Sequence, residues 1–261
     1  MKRSIDNMNF NVFIGIDQTG AATKSGQPKM LPVAIIYKKK HFVNLNIQSI
    51  TESEIEKILI DQLNLSKLKI KNLKPLILVD SVLGLPADLK VELKSIFKEI
   101  EFYQYNEKKY GAQTAYSFFN KFISKNMSTK PRRHVEVLAK ANSVFNLTPY
   151  QRNIGCGSYR ILKDLSQNQK WFQIWPHYLK SSKWATIAEG YPTYYWKTLF
   201  NFNSRPNKNH LNINFKTADH ADAYILAFAA YTLRNAYNKI SLPHVSQTEG
   251  WIYGFNKFKS N

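Results

Sequence analysis

Apolar runs that end on an acid set the pattern of this chain. Val12-Phe13-Ile14-Gly15-Ile16 ends at Asp17, and Pro75-Leu76-Ile77-Leu78-Val79 ends at Asp80. The mostly apolar Trp184-Ala185-Thr186-Ile187-Ala188 ends at Glu189. Continuous apolarity over such short stretches predicts strands covered on both faces. The spacing therefore predicts strands over 11–17, 76–80 and 183–189. Two β-rich runs, 31–38 and 41–47, are joined by the basic turn Lys38-Lys39-Lys40 and read as a hairpin. Thr51-Glu52-Ser53-Glu54 has the look of a capping box, followed by Ile55, Ile58, Leu59 and Leu63 at helical spacing. Further helices are predicted over 87–101, 136–145 and 221–237.

The elements run strand, strand, strand, helix, strand, helix, strand, helix. This order predicts an α/β fold with a five-stranded mixed sheet, flanking helices and one large helical and aromatic insertion between strands four and five. All 261 residues are expected to form a single domain, with a core over about 10–125 and 183–255 and the insertion over about 126–182. Trp171, Phe172, Trp175, Tyr178 and Trp184 lie among Lys170, Lys180 and Lys183. Such a mixture resembles a stacking platform for bases, but aromatic residues at this density read first as core.

Charge changes the picture. Lys and Arg number 37 against 18 Asp and Glu, a net charge of +19, which favours an anionic partner and above all nucleic acid. Lysine on solvated faces is the plainer alternative. The single cysteine, Cys156, excludes an intrachain disulfide and cysteine-rich zinc sites, and it reads as structural. Neither a signal-peptide core at the first residues nor a membrane-length apolar stretch is present in the sequence. A cytoplasmic protein that does not enter a membrane is expected.

The few acids are the candidate chemistry. Asp17, Asp80 and Glu189 close strands, and Asp219 and Asp222 open the last helix three positions apart, on one helical face. Carboxylates gathered at one point repel each other unless a cation joins them, and Mg²⁺ or Mn²⁺ prefers such oxygen donors. Each acid also has a plain reading. Asp17 and Asp80 suit loop amides, Asp219 suits an N-cap with Asp222 favoured by the helix dipole, and Glu189 suits a bend before Gly190 and Pro192. Their joint occurrence in this order points to a shared site.

Gly15-Ile16-Asp17, Val79-Asp80-Ser81-Val82-Leu83-Gly84-Leu85-Pro86, Glu189-Gly190-Tyr191-Pro192, Ala218-Asp219-His220-Ala221-Asp222-Ala223 and Glu249-Gly250-Trp251-Ile252-Tyr253 occur in that order. Together they resemble the RNase H-fold nucleases grouped as domain of unknown function 429, over residues 13–253. The resemblance implies a RuvC-like core and a metal-dependent nuclease, with Asp17, Asp80, Glu189 and Asp222 as catalytic metal ligands and Asp219 as a fifth. In that reading two Mg²⁺ or Mn²⁺ ions serve phosphodiester hydrolysis, with Asp17 bridging them.

The basic positions Arg132, Arg133, Arg152 and Arg160 are the candidate nucleic-acid contacts. Arg132-Arg133-His134 forms a compact cluster suited to phosphates. Arg152 and Arg160 bracket a glycine-containing segment, 153–159, that reads either as a phosphate-binding loop or as a tight turn. His220 stands beside the acids with a minor claim on proton transfer. Two other functions compete. One is a non-catalytic nucleic-acid- or partner-binding protein. The other is an ATPase of the actin and sugar-kinase type, suggested by Gly15-Ile16-Asp17-Gln18-Thr19-Gly20 and opposed by the absence of a second such loop.

Overall fold

The structure is a computed structural model, and it describes residues 9–18, 29–106, 112–123, 130–145, 154–177, 184–202, 211–235 and 242–255. Strands β1 (Val12–Ile16), β2 (Leu31–Tyr37) and β3 (Lys40–Ile47) come first, then helices α1 (Glu52–Leu63) and α2 (Lys67–Ile70) and strand β4 (Pro75–Val79). Helices α3 (Leu93–Asn106), α4 (Ala112–Asn120), α5 (His134–Ala139) and α6 (Ile154–Gln167) lead to strands β5 (Phe172–Trp175) and β6 (Ala185–Glu189). Helices α7 (Pro192–Phe200), α8 (Ala218–Thr232) and α9 (Ser246–Glu249) follow.

The sheet has six strands in the order β3-β2-β1-β4-β6-β5. Strand β2 runs antiparallel to both β1 and β3, while β1, β4, β6 and β5 pair in parallel. The expected α/β class and mixed sheet are therefore present, but the strand count was one too low. The extra strand is Phe172–Trp175, a four-residue edge strand whose aromatic content disguised it as part of a helical block. Pairing with β6 decides its conformation. Within 126–182, α6 and β5 are built into the core and the sheet rather than set aside as a cap.

Alternation along each strand sorts the core into two layers. Val12, Ile14, Ile16, Val33, Ile35, Ile77 and Val79 pack with the apolar faces of α1, α3, α4 and α6. Phe13, Ala34, Ile36, Leu76, Leu78 and Ala188 pack with α7, α8 and Trp251 on the opposite face. Gly15 lies on that second face, where an added Cβ would stand 2.0 Å from the Ala223 carbonyl oxygen. Its lack of a side chain lets α8 lie directly on β1. Helix α8 is buried nearly all round, which is why its sequence is apolar on every side.

Local chemistry moved several element ends. Thr51 caps α1 through the Glu54 amide, but the Glu54 carboxylate reaches the Gln48 amide instead of closing a reciprocal box. Lys90 adopts a left-handed conformation and splits the expected 87–101 helix into a short 3₁₀ turn and α3. Lys140 does the same after α5, ending it six residues before Phe145 would have. Thr217 is the N-cap of α8, so the helix begins three residues before the expected start. Among the described residues no helix is long and apolar enough to cross a membrane.

Candidate functional site

Parallel pairing brings the acids to one end of the sheet. Ile16 lies opposite Val79, and Val79 opposite Glu189. Asp17 and Asp80 each come one residue later. The Asp80 amide donates to the Ile16 carbonyl at 3.0 Å, and the Asp17 amide to Pro32 at 3.1 Å, so both acids start from paired backbone. Adjacent strands lie about 4.8 Å apart, which sets the separation of these two chain positions. Asp17 is buried and Asp80 half-buried. Gly15 and Leu78 face α8, and alternation carries Asp17 and Asp80 to that same side.

Helix α8 supplies the next acid. Asp222 is buried, and its Oδ1 accepts a hydrogen bond from Trp196 Nε1 at 3.0 Å. Asp219 is half-buried at the second helical position, where the helix dipole favours it. Thr217, not Asp219, makes the cap, accepting from the His220 amide. The Thr217 hydroxyl also pairs with His220 Nδ1 at 2.8 Å. Asp80 adds to the upward push that burial exerts on the Tyr191 and Tyr195 hydroxyls.

Glu189 stands differently. It is the last residue of its strand, level with Val79, and so falls one step short of Asp80. That step turns it to the other face. There Arg133 holds it with Nη1 on Oε2 at 2.7 Å and Nη2 on Oε1 at 2.6 Å, while the Leu83 amide donates to Oε2. Arg133 Nε donates to Glu136 at 2.8 Å, and Nη1 also reaches the Glu249 carbonyl. Burial alone would lower the guanidinium's pKa, but the carboxylates of Glu189 and Glu136 raise it above its ordinary range. The Glu249 carboxylate in turn accepts from the Ala87 and His134 amides. Glu136 and Glu249 escaped the sequence reading, although Glu249 opened one of its motifs. Only the fold brings either of them to Arg133.

A cleft of about 120 Å³ opens at this junction, lined in part by Asp80, Ser81, Arg133, Asn142, Glu189 and Tyr191. Ser81 is 1% exposed, and its hydroxyl has no partner among the described residues. Helix α6 supports the cleft from the other side. Ser158 Oγ accepts from the Val82 amide at 2.9 Å, and Gln18 lies so close to Gly157 that a Cβ there would overlap it. Residues 154–159 are the first turns of helix α6, which corrects both readings of that segment, the phosphate-binding loop and the tight turn. Cys156 is buried within it.

Two of the three described basic positions are committed inside. Arg133 is 1% exposed and Arg160 8%, so neither lies on an open surface. Arg160 donates to the carbonyls of Lys29 and Gln48, tying α6 to the start of β2 and the end of β3. Arg132 is exposed but donates to the carbonyls of Glu136 and Ala141. Arg152 lies outside the described residues.

The donor chemistry of Asp17, Asp80 and Asp222 suits a hard divalent cation, whereas Glu189 has both oxygens on Arg133. Among the described residues, no group of three or more His, Cys, Asp or Glu side chains is arranged to hold a metal ion. In comparisons with known proteins, no family model, curated protein or solved structure matches the chain.

Proposed function

We propose that this chain is a metal-dependent nuclease on an RNase H-like scaffold, with Asp17, Asp80 and Asp222 as the carboxylates at the reacting phosphate. The observation that carries the proposal is the side-by-side placement of Asp17 and Asp80 on neighbouring parallel strands, under the helix that bears Asp222. The strand order, with an antiparallel β2 and acids at the ends of β1 and β4, supports the scaffold reading. The charge of +19 supports a nucleic-acid substrate.

Asp17 and Asp80 would hold Mg²⁺ or Mn²⁺, with Asp222 completing the set and Asp219 next to it on the helix. A bound divalent ion would activate water and stabilise the leaving oxygen. Trp196 orients Asp222 through its indole N–H. Arg133 keeps Glu189 out of the ligand set and fixes the end of β6, so Glu189 acts as a positioning residue.

A second reading, a non-catalytic nucleic-acid-binding protein, is favoured by one observation: the described residues hold no ready-made metal group. Titration with Mn²⁺, followed by calorimetry, separates the two. The nuclease reading expects binding that weakens at least tenfold in Asp17→Asn and Asp80→Asn. Absence of binding in the wild type, with nucleic acid still bound, selects the second reading.

A further inference from the structure

Two of the arginines expected to meet nucleic acid, Arg133 and Arg160, are internal, which leaves open where a phosphate backbone would be held. A cationic surface lies at the far end of the sheet from the acids. Strand β1 begins there at Val12, which pairs with Tyr37 on one side and Pro75 on the other. Lys38, Lys39 and Lys40 follow Tyr37, while Lys71 and Lys74 precede Pro75, and all five are exposed. Helix α8 ends at the same end of the sheet. Tyr231 packs edge-on against Phe13 at 5.3 Å, and the exposed Arg234 lies over the Tyr231 ring at 4.9 Å. Residues 9–11, 37–40, 71–75 and 231–235 contain no Asp or Glu.

The hairpin turn carries the argument further. Lys38 and Lys39 have φ values of 47° and 63°, the left-handed pair that a two-residue type I′ turn requires. Asn-Gly is the favoured occupant of such a turn, and a non-glycine residue in this region is uncommon. The chain is rich in asparagine, which tolerates this conformation, and it places asparagine in it at positions 44, 64, 201 and 212. Lysine takes the same conformation at positions 90 and 140, so the backbone alone does not single out the hairpin lysines; their place beside Lys71, Lys74 and Arg234 does.

We infer that the Lys38-Lys39-Lys40 turn, with Lys71, Lys74 and Arg234, is a docking surface for a nucleic-acid phosphate backbone, separate from the acid end of the sheet. The inference rests on the nucleic-acid reading proposed above. A five-residue strand spans about 16 Å, so a nucleic acid that touches both ends must continue past the first contact for roughly five base pairs at 3.4 Å each.

The test is fluorescence anisotropy of a labelled 30-nucleotide strand and its duplex, in EDTA, across a salt series. The wild type is compared with Lys38→Asn/Lys39→Gly, which removes two charges while installing the preferred turn sequence, so its melting temperature should match or exceed the wild type's. A control, Lys94→Gln/Lys98→Gln, removes two exposed charges from α3. The expected result is weaker binding by the turn variant alone, with a salt slope smaller by about 1.4–1.8. Unchanged binding by the turn variant, or an equal loss in the control, overturns the docking surface. So does a turn variant that loses only its binding to phosphatidylserine vesicles, which would make the partner a membrane. A wild type that binds no nucleic acid overturns the proposed function itself.

Discussion

Arg133 grips Glu189 through both terminal nitrogens, at 2.6 and 2.7 Å, with the arginine 1% exposed. A guanidinium fork matched to a carboxylate is a strong geometry, and Glu136 shares the same cation. The pair sits one strand away from Asp80 and lines the same cleft. It turns what would have been a fourth open carboxylate into a fixed wall of that cleft.

Removing one partner of such a pair strands the other charge. Arg133→Met should therefore lose about 3–5 kcal/mol of stability. At about 2–4 °C per kcal/mol for a chain of this size, the melting temperature should fall by roughly 6–20 °C. Calorimetry or thermal circular dichroism measures this directly. A fall of less than about 2 °C would mean that the pair is not buried as described.

Gly15→Ala should destabilise the protein by at least about 1–3 kcal/mol, because the new methyl meets backbone rather than a movable side chain. Urea denaturation of this variant reads the effect. A neutral result would show that α8 does not lie directly on β1, and with it the placement of Asp222 over the strand ends would fail.

Two half-buried groups give the chain opposing pH responses in one window. Burial raises the Asp164 pKa to about 6, so below that pH the folded chain holds it protonated, and its contribution is present at low pH and lost as pH rises toward 6. Burial lowers the His177 pKa to about 4, so it enters neutral, and its contribution is present above about 6.5 and lost as pH falls toward 4. Asp164→Asn should thus steepen the gain in stability between pH 4 and 6.5. His177→Gln should flatten or reverse that gain. Denaturation midpoints at half-unit pH steps check both signs.

Arg160→Lys should loosen the junction of α6 with β2 and β3. One ammonium replaces a planar fork that reaches two carbonyls, those of Lys29 and Gln48. Amide exchange near Gln48 and Ile50 should quicken in this variant. Unchanged exchange would mean that the clamp is held by the Asp164 bond to the Ile50 amide alone.

The sequence was most legible where one strand's own pattern decided the outcome. The runs ending at Asp17 and Asp80 became β1 and β4 within a residue of expectation, and the lysine turn joined a hairpin. Glu189 looked equivalent to them because its strand also ended on an acid. The register of β4 with β6 puts Gly190, not Glu189, level with Asp80, and no single strand carries that information. Arg133 gave no sign of its burial because its partners lie 3, 56 and 116 residues away. Strand β5 was hidden for a related reason: four residues rich in aromatics take their conformation from the neighbour they pair with.

The central claim is that Asp17, Asp80 and Asp222 form one hydrolytic site from which Glu189 is excluded. Its most direct test is incubation of the protein with labelled single-stranded, duplex and branched DNA and RNA in Mn²⁺, comparing the wild type with Asp17→Asn. The account predicts cleavage of at least one substrate by the wild type and loss of at least about a hundredfold in the variant, on the scale of removing a principal electrostatic contributor. Equal cleavage by both proteins, or none by either while nucleic acid remains bound, would contradict it.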